Sequence, residues 1–199
     1  MDILTKKVQF EENIKGSRFL SELIPCTSQG EARELIRGQK AKYADATHVV
    51  HAFVVGLQAE VMGMSDDGEP SGTAGRPTLD VLKGRGCTNA LVTITRWFGG
   101  TLLGTGGLVK AYSGGCKGVI QVADEQGAFS PYVPKESFSF STDYNIYKPI
   151  KIMMESFNTF DVKEDFGTDI TVSGEIEAGQ KKDLAARLLD MSNGKIVLA

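Results

Sequence analysis

Between residues 130 and 135 the chain reads Ser-Pro-Tyr-Val-Pro-Lys. Proline lacks an amide donor and fixes φ, so Pro131 and Pro134 cannot both be housed in a helix or a central strand. No regular element can run through this segment. The 199 residues therefore divide into a first domain, 1–130, a linker, 131–135, and a second domain, 136–199. Composition changes across the break. Residues 1–135 carry 15 Lys+Arg against 14 Asp+Glu, a net of +1, whereas residues 136–199 carry 7 against 11, a net of −4. Fifteen of the 23 glycines fall between Gly56 and Gly118, so any chemistry that depends on glycine belongs to the first domain.

The second domain reads directly. Glu136–Asn145 alternates Phe138 and Phe140 with Ser and Thr, the period of a half-buried strand. Ile150, Met153, Met154 and Phe157 predict a helix over 147–157. Two strands follow, 159–166 and 169–177, turning at Asp165-Phe166-Gly167-Thr168. Leu184, Leu188 and Met191 mark a second helix stopped by Asn193-Gly194, and 195–199 completes the set as a strand. The order β-α-β-β-α-β is the ferredoxin-like pattern.

The first domain is α+β. Strands are expected at 5–14 and 17–23, followed by a helix opened by Ser28 with Glu31 three residues on, a capping-box spacing. Further strands fall at 47–56 and 58–64. A polar turn spans 65–76, and Pro77 suits the first turn of a short helix. A buried strand at 89–97 then meets a glycine-rich loop, Gly99–Gly107, and a helix from Leu108 to about Val122.

Bulk properties narrow the function. A formal net charge of −3 and pI near 5.5 exclude the strongly basic footprint of a dedicated nucleic-acid binder, though not a local basic patch. Cys26, Cys87 and Cys116 are odd in number and widely spaced, which rules out a disulfide framework or a zinc knuckle. Met1–Ser17 has no hydrophobic run suited to a signal peptide, and no stretch approaches the roughly 18 apolar residues of a membrane helix. A cytoplasmic protein without a membrane partner is expected; its oligomeric state is left open.

Two segments carry the candidate site. One is Ser65-Asp66-Asp67-Gly68-Glu69-Pro70-Ser71-Gly72-Thr73-Ala74-Gly75-Arg76. The other is Arg96-Trp97-Phe98-Gly99-Gly100-Thr101-Leu102-Leu103-Gly104-Thr105-Gly106-Gly107-Leu108-Val109-Lys110. Each runs from a strand through glycines into a helix, leaving unpaired amides at a positive helix end, where an anion is favoured. An anion- or partner-binding site follows, made of Ser71, Gly72, Thr73, Gly75 and Arg76 with Arg96, Gly99, Gly100, Gly104, Gly106, Gly107 and Lys110. The competing reading is that these glycines only allow tight turns and close packing. Neither a P-loop nor a dinucleotide fingerprint fits: Gly106 is followed by Gly107 and Leu108, and the sixth place of a fingerprint that starts at Gly104 holds Val109.

Asp66, Asp67 and Glu69 form an acidic cluster that invites a divalent cation, but Asp-Asp-Gly is also turn chemistry, and no metal is assigned. His48 and His51, three apart in a strand, face opposite ways and cannot share an ion. Phe53, Trp97, Phe98 and Tyr112 are candidates for base stacking or for core. Lys181, Lys182 and Arg187 read as a solvated helix face. No catalytic residue and no cofactor is assigned.

These motifs resemble those of the YigZ/Impact family: residues 66–76, Arg96–Gly100, and Leu103–Leu108, with Lys15-Gly16-Ser17-Arg18-Phe19 and Ala46-Thr47-His48 nearer the N-terminus. The resemblance adds Arg18 to the candidate site. One departure stands out. After Ala-Thr-His the family shows Asn-Cys and an aromatic, whereas this chain has Val49-Val50-His51, so no role of that cysteine carries over. The resemblance implies a first domain folded like the second domain of a small-subunit ribosomal protein and domain four of elongation factor G. The second domain is similar to domain five of that factor. It also implies a regulatory role in translation, since eukaryotic members compete for a partner of a stress-activated kinase. Two readings follow: a non-catalytic binding protein whose partner is RNA, the ribosome or a translation-regulatory protein, or a small-molecule or nucleotide-dependent enzyme using the same loops.

Overall fold

Short strand Asp2–Leu4 (β1) precedes Val8–Ile14 (β2), whose residues alternate toward and away from the core. A two-residue turn follows, with Lys15 at φ 48 and Gly16 at φ 83, the twist that returns a chain tightly into Ser17–Pro25 (β3). The computed structural model describes residues 1–56 and 58–199. Ser28 caps Gln29–Lys42 (α1) by accepting from the Glu31 amide at 3.2 Å. Glu31 reaches back to Thr27, not to the cap residue, taking hydrogen bonds from its amide and hydroxyl at 2.7 and 2.8 Å.

His48–Val55 (β4) and Val61–Ser65 (β5) form the next hairpin, and Gly75–Gly84 (α2) follows. Cys87–Thr88 (β6) and Ala90–Trp97 (β7) lead to the long helix Thr105–Glu125 (α3) and to Phe129–Pro131 (β8). The five-stranded sheet has the order β2-β3-β7-β4-β5 and is antiparallel throughout. On one face α1 covers Ile24, Phe53, Val55 and Leu91. On the other, α2 and α3 enclose the larger core around Phe19, Leu23, Val92, Ile94, Leu82 and Val119. A small ribbon, β6-β1-β8, binds the start of this unit to its end. Arg85 reinforces it, pairing with Asp2 at 3.0 Å and Asp124 at 2.9 Å.

The chain separates into two compact units, 1–132 and 133–199. In the second, Lys135–Thr142 (β9), Thr159–Phe166 (β10) and Ile170–Glu177 (β11) make an antiparallel sheet of order β10-β11-β9. Tyr144–Met154 (α4) and Lys181–Met191 (α5) cover it, burying Ile150, Leu184 and Leu188 on Phe138, Phe140, Ile170 and Ile176. Residues 195–199 do not form the expected strand. Lys195 and Ile196 stay tied to Ser192 at the end of α5, and only Ala199 reaches β9, exchanging backbone bonds with Ser139 at 2.9 and 3.2 Å. The expected helix at 147–157 begins three residues earlier, because Asp143 caps it through the amides of Asn145 and Ile146.

Candidate ligand-binding cleft

Strand register sets the floor of the site. Arg96 on β7 lies between Phe19 of β3 and His48 of β4 as direct cross-strand neighbours. Tyr112 descends from α3, edge-on to Phe19 at 5.5 Å between ring centres. Glu69 arrives by the turn after β5: Asp67 at φ 47 and Gly68 at φ 90 hold the left-handed pair that lets the Glu69 amide bond Asp66 O at 3.0 Å. Its Oε1 accepts from Arg96 Nη1 at 2.6 Å and from the Tyr112 hydroxyl at 2.7 Å. The Arg96 and Glu69 side chains are only 6% and 3% exposed. Burial, then the Glu69 carboxylate on its hydroxyl, pushes the Tyr112 phenol far above its ordinary value, so this ring donates and never ionises. The pair is partly satisfied, since Arg96 Nε is buried without a partner among the described residues, and it ties the turn after β5 to β7 and α3.

Above this floor lies a cleft of about 450 Å³. Its walls are Thr47 and His48 at the start of β4, the turn Gly68–Pro70, Arg96 and Phe98, and Leu102–Thr105 with Leu108. Both glycine-bearing segments therefore contribute to one concavity. Gly104 is the N-cap of α3 at φ 72 and ψ 165, a backbone region that glycine occupies without strain. No side chain caps this helix and its first turn contains no acid, while Thr105 and Gly106 are exposed. The rim is apolar, with Phe98 46% and Leu102 83% exposed.

The remaining sequence candidates scatter. At α2 the amides are already occupied: the Asp66 carboxylate accepts from Gly72, Ala74 and Gly75 at 2.8, 3.0 and 2.8 Å. Burial opposes the Asp66 charge, but these three amides outweigh it and hold the carboxyl below its usual range. The first loop thus carries its own anion. Ser71 and Gly72 are exposed, Thr73 bonds back to Pro70 O, and Arg76 pairs with Asp80 one turn along α2; none of them lines the cleft. Arg18 forks onto Glu11 and lies 4.4 Å above the Trp97 ring. Gly99 packs against the β2–β3 turn, where an added Cβ would sit 1.9 Å from the Gly16 carbonyl, and Gly100 takes φ 85. Gly106 and Gly107 lie inside the first turn of α3, which starts at Thr105 and not at Leu108. Lys110, exposed on the second turn, has no carboxylate partner among the described residues.

The acidic cluster does not converge. Asp66 caps α2, Asp67 serves Lys40 and the Val49 amide, and Glu69 holds Arg96. Among the described residues no three His, Cys, Asp or Glu side chains gather to hold a metal ion. Tyr112 and Phe53 are core, 0% and 5% exposed, and the Trp97 indole donates to Asp45. Phe98 alone of the four aromatics stands in the open cleft. His48, which the sequence offers as part of a motif and, with His51, as a rejected metal pair, proves to be a cleft residue. The sequence signal was its place in Ala-Thr-His at the head of β4.

Comparison with known proteins agrees with the motifs. The model of the Impact N-terminal domain matches residues 15–120. The chain is similar to the IMPACT family member YigZ of Escherichia coli, with 31% identity over 94% of this chain and 91% of that protein. It is also similar to the IMPACT family member YvyE of Bacillus subtilis, with 44% identity over 50% of this chain and 46% of that one. Among solved structures, one described as the crystal structure of an hypothetical protein superposes with a TM-score of 0.72 at 31% identity, over 99% of this chain and 95% of that one. Among the described residues no helix is long and apolar enough to cross a membrane.

Proposed function

The chain belongs to the Impact family, and on that premise we propose that it is a non-catalytic, cytoplasmic binding protein tied to translation, docking a phosphate of RNA or the ribosome at the start of α3. The observation that carries this reading is the uncapped N-terminus of α3 opening into the cleft, with no acid in its first turn. Exposed amides at a positive helix end suit an anion, and Lys110 on the second turn of the same helix is an exposed positive charge with no carboxylate partner among the described residues. The unit that holds the cleft is also the less acidic one, by the +1 against −4 balance of residues 1–135 and 136–199. Phosphate recognition of this kind is salt-dependent. Binding to ribosomes or to single-stranded RNA should weaken steadily as salt rises from 50 to 300 mM, with roughly one unit of log–log slope for each phosphate held. Binding that is flat across the titration, or absent at low salt, contradicts the reading. A protein partner would show instead as a complex that survives nuclease.

The cleft's size supports a second reading, a nucleotide-dependent enzyme, because small-molecule sites run from about 300 to 1,000 Å³. A nucleotide that binds there raises thermal stability by mass action, so a thermal-shift series with millimolar nucleotides separates the two.

A further inference from the structure

His48 and Glu69 leave the cleft floor short of hydrogens. His48 Nδ1 lies 2.8 Å from the Asp67 carbonyl oxygen. A carbonyl only accepts, so Nδ1 carries a hydrogen and Nε2 is the ring nitrogen left for another partner. Nε2 lies 3.9 Å from Glu69 Oε2, too far for a hydrogen bond and wide enough for one small polar group to bridge them. Oε1 of Glu69 already takes two hydrogen bonds, whereas nothing donates to Oε2 among the described residues. Glu69 is only 8% exposed and lines the cleft, so its Oε2 is an acceptor that a ligand seated there can reach. Beside this pair stand the amides of α3, suited to an anion, and the open ring of Phe98, suited to a flat apolar face. A ligand that satisfies all three carries a hydroxyl donor, a phosphate and a base.

We propose that the Glu69–His48 acceptor pair receives a ribose hydroxyl, so that the cleft selects ribonucleotides over deoxyribonucleotides. A single 2′-hydroxyl donates to Glu69 Oε2, and a vicinal 2′,3′-diol gives one hydrogen to each acceptor. The inference rests on the phosphate reading of α3 and goes beyond it, because amides and lysine alone hold RNA and DNA phosphates alike.

The test is fluorescence anisotropy with the full chain and labelled ten-residue uridine oligomers: ribo, deoxy and 2′-fluoro. The ribo oligomer should bind about tenfold more tightly than the deoxy one, the worth of one hydrogen bond to a charged acceptor. The 2′-fluoro oligomer keeps an RNA-like sugar but has no hydrogen to give, so it should bind like DNA. In His48→Phe the preference carried by a terminal 2′,3′-diol should fall by about threefold or more, whereas a preference carried by an internal 2′-hydroxyl on Glu69 Oε2 should remain. Because the fluoro arm needs no protein variant, a misfolded His48→Phe leaves the test intact. A 3′-phosphorylated ribo oligomer tells an internal 2′-hydroxyl, which retains the preference, from a terminal diol, which loses it. Equal, salt-sensitive binding of all oligomers, or fluoro binding as tight as ribo, overturns the hydroxyl site and leaves the phosphate site standing. No binding of any oligomer at low salt overturns both.

Discussion

Replacing Arg96 by Met removes the charge that neutralises Glu69 in the cleft floor and keeps most of the side-chain volume. The carboxylate is then buried, with the Tyr112 hydroxyl at 2.7 Å as its remaining hydrogen-bond donor. Breaking one side of a buried ion pair costs about 3–5 kcal/mol, a large share of the roughly 5–15 kcal/mol that holds a domain folded. The double variant Arg96→Met/Glu69→Met behaves differently. It removes both charges, and its main loss is the acceptor of Tyr112, about 1–3 kcal/mol. The single variant should therefore be the less stable of the two by about 2 kcal/mol. Trp97 is the chain's single tryptophan and adjoins Arg96, so its fluorescence in urea reports this unit directly. With a slope of about 1–3 kcal/mol per molar, the single substitution should lower the midpoint by roughly 2 M and the second should restore part of it. A single-variant loss below about 1 kcal/mol, or a double variant worse than the single, would show that the pair does not clamp the two loops.

Gly99→Ala should destabilise by about 3 kcal/mol or more in the same assay, because the new methyl meets backbone at 1.9 Å and cannot rotate away; Gly106→Ala, with nothing within 4 Å, should gain up to about 1 kcal/mol. Burial pushes the Cys26, Cys87 and Cys116 thiols up to about 12, 11 and 12, so a thiol reagent at pH 8 should label all three only after unfolding. Burial, then the charge of Lys40, holds the His51 imidazole below its ordinary value against the pull of Asp67. The unfolded chain then takes up this proton first as pH falls through about 6.5. Stability should therefore drop from pH 7 toward pH 5, with a shallower slope in His51→Gln.

Much of the fold was legible because its signals are local. Ser28 and Glu31 lie within one helical turn, the Pro131–Pro134 segment carries its own conformational limits, and the period of Phe138 and Phe140 needs no tertiary knowledge. The site was legible only in part. Sequence spacing cannot say that Arg96, apparently free to meet a ligand, is spent on Glu69 twenty-seven residues earlier. Nor does any short capping pattern reveal that Asp66 fills the start of α2 from up to nine residues upstream. The start of α3 was read too late because Gly106 and Gly107 are poor helix formers; in the fold the Leu108 amide bonds Gly104 O at 2.9 Å and draws them in. The approach of His48 to Glu69 was invisible, since it needs both the β4–β7 register and the turn at Gly68.

Free amides at the head of α3 are the feature on which the functional reading depends, and Gly106→Glu tests them most directly. A carboxylate in the first turn occupies the ground meant for phosphate, while helix propensity and the helix dipole both favour it, together by about 1 kcal/mol. The expected result is an unchanged or higher unfolding midpoint with at least a tenfold loss of RNA or ribosome binding at 50 mM salt. A stable Gly106→Glu protein that binds as tightly as the parent contradicts the reading.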